Sequence, residues 1–184
     1  SDSCVFRNNY FHDNASPAFR LYDTKGWIIE NNKFLNCSHA VGGKDEPYDI
    51  LIRRNLIIGG GLAFYFAMQG GGNGVTITEN IVVGTEGGFN IGGLGTYNQK
   101  RRNVKVYNNT FYNVRSWIFG WTDPDFDTTI GFWNNIVHSD VAADIPGGED
   151  VGSRFVCFNK YQKTPMRPSQ YSMDYNDYKM PDND

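Results

Sequence analysis

Three side chains able to do proton and charge chemistry, Arg20, Lys44 and Tyr65, fall in short stretches that read alike, among them "AFRLY" (18–22) and "LAFYF" (62–66). A guanidinium or ammonium can neutralise an anionic group while a Lys or Tyr takes a proton from the neighbouring carbon. A second set is acidic: Asp45 and Glu46 in "GGKDEPYD" (42–49), and Asp123 and Asp125, with Asp127, in "TDPDFDTT" (122–129). Paired carboxylates can divide acid and base roles when they stand about 5–5.5 Å or 6.5–9.5 Å apart. A third set, Asn90, Tyr97, Arg101, Trp117 and Trp121, could bind through hydrogen bonds, charge and stacking faces.

The elements that must position these residues are written in a repeat. "RNNYF" (7–11), "ENNKF" (30–34), "YNNTF" (107–111) and "WNNIV" (133–137) share an Asn pair followed, one residue later, by an apolar side chain. Anchored on the second asparagine, the repeat falls at Asn9, Asn32, Asn55, Asn80, Asn109, Asn135 and Asn176. Three and five positions before each anchor, and two after it, the residues are apolar or aromatic with mostly polar residues between. That is the period of two of a β-strand, and no segment carries the 3.6-residue period of a helix. A third strand follows in "AFRLY", "LAFYF", "GFNIG" (88–92) and "WIFGW" (117–121). Three strands per coil, stacked at the ~4.8 Å strand spacing, predict an all-β right-handed parallel β-helix of about six to seven coils. The anchor asparagines would then form an internal ladder, each amide bonded to the one above and below.

With these motifs the chain resembles the right-handed parallel β-helix superfamily of pectate lyases, polygalacturonases, alginate and chondroitin lyases, and phage tailspikes. The resemblance covers residues 4–137 well and 138–184 loosely. It implies a carbohydrate-active protein acting on a polysaccharide or oligosaccharide by β-elimination or hydrolysis, or a non-catalytic glycan-binding or structural β-helix of adhesin or tailspike type. It also implies a secreted, cell-surface or periplasmic location of bacterial type, and it admits Ca²⁺ as a cofactor. The polygalacturonase motifs "NTD", "DD", "GHG" and "RIK" are absent, as is the acid-then-lysine arrangement of the chondroitinase B and alginate lyase group. The metal therefore stays unassigned.

Composition fits a turn-rich β protein: 21 Gly, 15% aromatic residues and a net charge of −3. Without a basic excess a nucleic-acid partner is not expected, and no apolar run approaches the ~18 residues of a membrane span. Cys4, Cys37 and Cys157 lack metal-site spacing; buried free thiols are the simpler reading, a Cys4–Cys37 bridge the other. The sequence reads as one domain over 1–184, with an irregular insertion near 138–172. Its abrupt start inside a coil reads as a trimmed piece of a longer β-helix.

In the family resembled, the ligand lies along the outer face of the third strand. Counting nine residues from each anchor makes Val41, Phe64, Phe89 and Ile118 inward, with Phe19 one later. Three outward rows follow: Ala18, Ala40, Ala63, Gly88 and Trp117; Arg20, Gly42, Tyr65, Asn90 and Phe119; Tyr22, Lys44, Ala67, Gly92 and Trp121. The expectation is a shallow trough of small residues with an aromatic wall, edged by the loops that hold Asp45, Glu46, Tyr97, Arg101, Asp123 and Asp125. Elimination would use Arg20 or Lys44 as the cation and Lys44 or Tyr65 as the base. Hydrolysis would draw on Asp45 or Glu46 with Asp123 or Asp125, about three coils or ~14 Å apart, or on a pair within the 122–129 loop. Glu30 with Arg53, and Arg54 with Glu79, read as surface ion pairs, and His39 has no partner legible in the sequence.

Overall fold

The computed structural model describes residues 3–45, 47–67, 73–92, 102–121, 128–140, 156–158, 171–174 and 177–179. Every strand pairing among them is parallel and joins one coil to the next. Three sheets result. The first has seven strands, Val5–Arg7, Ile28–Glu30, Tyr48–Arg53, Asn73–Thr78, Arg102–Tyr107, Thr128–Trp133 and Tyr171–Asp174. Across the Asn corner lies the second, also of seven: Tyr10–His12, Lys33–Leu35, Leu56–Ile58, Ile81–Val83, Thr110–Tyr112, Ile136–His138 and Asp177–Lys179. The third has six: Phe19–Tyr22, His39–Lys44, Leu62–Ala67, Gly87–Gly92, Trp117–Trp121 and Val156–Phe158. The described residues contain no helix. The architecture is the predicted parallel β-helix.

Each sheet sends alternate side chains inward as ordered rows. Ile29, Ile52, Ile77, Val106 and Phe132 come from the first sheet, and Phe34, Ile57, Val82, Phe111 and Val137 from the second; none exceeds 2% exposure. The third adds Val41, Phe64, Phe89 and Phe119, all at 0%. Burying one such side chain stabilises by about 1.5–3 kcal/mol, but a single coil has nothing to bury it against, so the coils stabilise only as a stack.

The two asparagines of the motif do different work. The second points inward: Asn32, Asn55, Asn80, Asn109 and Asn135 are 1–2% exposed. Nδ2 of each donates to Oδ1 of the next, from Asn9 through Asn135, at 2.9–3.1 Å. The same Oδ1 also accepts the backbone N–H of the previous anchor at 3.0 Å. The first residue of the pair makes the corner itself, in the left-handed region. Asn8, Asn31, Asn108 and Asn134 have φ of 61°, 54°, 55° and 51°, values Asn tolerates better than most side chains. Arg54 and Glu79 hold the same place with φ of 54° and 57°, and their side chains form the expected ion pair, 2.6 Å apart.

The register of the third sheet departs from the sequence reading at its fifth strand, in the inward row and in all three outward rows. Phe119, not Ile118, pairs with Phe89, because Phe119 stands ten residues after its anchor Asn109, as Phe19 does after Asn9, against nine in the coils between. Trp117 therefore pairs with Gly87 and Trp121 with Ile91, not with Gly88 and Gly92, and Gly120 takes the place beside Asn90 expected for Phe119. The Ala row is not an open trough either: Ala40 and Ala63 are 1% and 0% exposed and belong to the core. Small residues are needed there because successive coils touch. A Cβ on Gly88 would lie 2.5 Å from the Ile118 carbonyl oxygen. The irregular insertion expected near 138–172 falls mostly outside the described residues, although Val156–Phe158 does return to the third sheet. Cys4 is partly exposed and Cys37 buried, both as free thiols.

Candidate functional site

The row Arg20, Gly42, Tyr65 and Asn90 stands as read from the sequence, as does Tyr22, Lys44, Ala67 and Gly92. Strand alternation alone dictates this. Phe19 and Leu21 are buried, so Arg20 and Tyr22 must point out. Over the first three coils these two rows floor an open cleft of about 280 Å³, at the lower end of ordinary ligand-site volumes, ~300–1,000 Å³. Ala15, Ser16 and Pro17 line it from the preceding turn, with Ser38 and His39.

Gly42 and Gly43 in the floor lack side chains for different reasons. Gly43 lies in the inward row of Leu21 and Phe66, and a Cβ there would sit 2.4 Å from the Phe66 ring. Gly43 thus makes room for the core. A Cβ on the buried Gly42 would make only ordinary contacts, 3.6 Å from Pro17 Cβ and the Phe19 and Tyr65 carbonyl oxygens, so no clash forbids a side chain there, and its absence keeps the floor under Pro17 low.

Two cations share one ring over this floor. The Arg20 guanidinium carbon and the Lys44 ammonium each lie 5.9 Å from the centre of the Tyr22 ring, within the ~6 Å reach of a cation–π contact. Neither forms an ion pair among the described residues, and no carboxylate is among the described residues that line the cleft. The cleft also holds an imidazole. His39 Nδ1 is 3.0 Å from Ser38 Oγ, and the His39 ring packs edge-on against Tyr65 with centroids 5.2 Å apart. Burial pushes His39 below its ordinary range, the Arg20 cation pushes the same way, and Glu86 opposes both. Burial and the Arg20 cation thus both favour the neutral ring.

The cleft thus brings together Arg20, Lys44 and Tyr65 from the predicted set. Asp45 follows Lys44 at φ 63° but does not line it. Asn90 is buried, 7% exposed, with no partner for its Oδ1 among the described residues; it is not an open binding group. Only the strand positions of Trp117 and Trp121 are described. Glu46, Tyr97, Arg101, Asp123 and Asp125 lie outside the described residues. Among the described residues no group of three or more His, Cys, Asp or Glu side chains could hold a metal ion, nor is any helix long and apolar enough to cross a membrane.

Ser16, Pro17, Tyr22, Ser38 and His39 were missed as site residues. Strict alternation from Val41 would turn His39 inward, but alternation of burial fails at the start of this strand: Ala40 and Val41 are both buried, and the half-buried His39 lines the cleft. The only available signal was its place in "NCSHAV" beside a hydroxyl residue.

A family model described as a right handed beta helix region matches residues 1–119, which hold the whole cleft. The chain belongs to this family. It has no match among curated proteins or among solved structures. Membership fixes the scaffold of this β-helix and leaves its chemistry to be argued from the site.

Proposed function

We propose that this β-helix is a secreted or cell-surface enzyme of bacterial type that binds an acidic polysaccharide along the third sheet and cleaves it by β-elimination. One observation carries the reading: Arg20 and Lys44, without an ion pair among the described residues, share one cleft with an imidazole and a phenol, and no carboxylate is among the described lining residues. Elimination from a uronate needs a positive charge on the sugar carboxylate and a proton acceptor for the neighbouring carbon. Arg20 and Lys44 would supply the charge, and the acceptor and a donor for the leaving oxygen come from the uncharged side. Hydrolysis needs two carboxylates flanking the bond, and Asp45, the described acid of the expected set, does not line the cleft. An open groove on a flat sheet suits a segment within a polymer better than a small free ligand.

The test is incubation with acidic and neutral polysaccharides, following ultraviolet absorbance of an unsaturated product together with new reducing ends. Both signals from an acidic polymer are expected. Reducing ends without absorbance would mean hydrolysis. Binding with neither signal would mean a glycan-binding or structural β-helix.

A further inference from the structure

We propose that His39, oriented by Ser38, is the proton acceptor of the cleft; the inference rests on the elimination reading above. Besides the Ser16 and Ser38 hydroxyls and the Arg20 guanidinium, which ordinarily keep their protons, four lining groups could move a proton: Lys44, Tyr65, Tyr22 and His39. Lys44 shares the Tyr22 ring with Arg20 and is most useful charged, as half of the clamp on an anion. The Tyr22 ring is the platform under both cations and is itself 41% exposed. His39 combines a fixed orientation with surroundings that favour its proton-accepting form. In the tautomer that donates Nδ1–H to Ser38 Oγ, 3.0 Å away, Nε2 is left with a free lone pair. The Tyr65 ring, edge-on to the imidazole, limits its rotation. The groups acting on it from other coils are Arg20, which favours the neutral form, and Glu86, which opposes it.

The step balances within the cleft. Arg20 and Lys44 hold the uronate carboxylate, which raises the acidity of the adjoining C5–H. His39 Nε2 takes that proton and the C–H pair becomes the C4–C5 double bond. The C4–O bond breaks, and the leaving oxygen takes the Tyr65 hydroxyl proton. The imidazolium proton then restores the phenol, so no oxidant, reductant or co-reactant is consumed.

The experiment uses the full chain with polygalacturonate, alginate and chondroitin as probes. Wild type and His39→Gln are compared for turnover, for binding and for the pH profile of kcat/KM. His39→Gln should lose about 10²–10⁴-fold in kcat, the usual size of a general-base contribution, keep its binding of the polymer, and lose the acidic limb of the profile. Added imidazole should restore part of the turnover of His39→Ala, which a merely structural role would not allow. Ser38→Ala should keep the fold, lower kcat and displace the same limb; it decides the matter if His39→Gln does not fold. Retained turnover and an unchanged acidic limb in the histidine variant, or in Ser38→Ala in that event, would overturn the role of His39 while leaving elimination in place. No unsaturated product from wild type on any probe would overturn both.

Discussion

Asn80 shows what one ladder residue has to lose. Its Oδ1 accepts from the backbone N–H and the side-chain amide of Asn55, and its Nδ2 donates to the carbonyls of Ile52 and Thr78 and to Asn109 Oδ1. Each buried group stranded by Asn80→Leu costs about 1–3 kcal/mol, and the corner is too tight to admit water in compensation. Asn9, at the exposed first coil, only donates. We expect Asn80→Leu to lower the urea midpoint strongly and Asn9→Leu to lower it by much less. Equal losses in the two unfolding curves would contradict a ladder whose strength lies in its buried middle.

His39 yields a second prediction at this scale. In the folded chain it holds its proton less tightly than in the unfolded chain, where its value is about 6.5. The unfolded chain therefore binds the extra proton as pH falls, and stability present above about pH 6.5 is lost as pH drops through the lower folded value. His39→Gln should flatten that part of the pH dependence. Urea unfolding of both proteins at about pH 8 and about pH 5.5 measures it; an identical pH slope in the variant would refute burial of His39 as the cause.

At the scale of the element, the third sheet separates two glycines that look alike in sequence. Gly43→Ala would drive a methyl into the Phe66 ring, with 2.4 Å where ordinary contact needs more than 3.4 Å, and overpacking of this kind costs about 1–3 kcal/mol. Gly42→Leu starts from ordinary contacts instead, 3.6 Å from Pro17 Cβ and from the Phe19 and Tyr65 carbonyl oxygens. It should cost less stability than Gly43→Ala and weaken polysaccharide binding by filling the cleft floor. Thermal melts and binding isotherms on both variants check the pair, and a Gly42→Leu that binds as well as wild type would move the site elsewhere.

These same strands show what was legible beforehand. The ladder, the inward rows and the face that carries Arg20, Lys44 and Tyr65 follow from a period of two counted from a residue that cannot be replaced cheaply. What escaped was set by turn length and by how a strand begins. One extra residue between Asn109 and Phe119 moved Trp117 and Trp121 by a row, and alternation fails at Ala40, buried beside Val41 while His39 lines the cleft. Glu30 and Arg53 behaved as expected, 2.7 Å apart, because both lie inside regular strands.

For the whole molecule, what sets the cleft apart is that two cations are gathered over one aromatic ring, whereas Arg7, Lys25, Lys33, Lys105 and Arg115 fall on other strands and turns. The net charge is −3, which gives no general attraction for a polyanion. Arg53, on the first sheet, is already neutralised by Glu30 at 2.7 Å, and Arg54 by Glu79 at 2.6 Å. Arg20 and Lys44 have no such partner among the described residues and stand together over Tyr22. Binding of an acidic polymer should therefore depend on two local charges. Arg20→Met and Lys44→Met are each expected to weaken binding of polygalacturonate or alginate about tenfold, the scale of one partly desolvated charge contact of about 1.5 kcal/mol. Arg53→Met should change binding little while costing some stability through the unpaired Glu30. Raising salt should weaken wild-type binding more steeply than that of the Arg20→Met, Lys44→Met double variant, since screening acts on charges the variant lacks. Titration of wild type and these variants at low and moderate ionic strength tests all three statements together. A loss from Arg53→Met as large as from Arg20→Met, or a salt dependence unchanged in the double variant, would place the polymer on a different face of the helix.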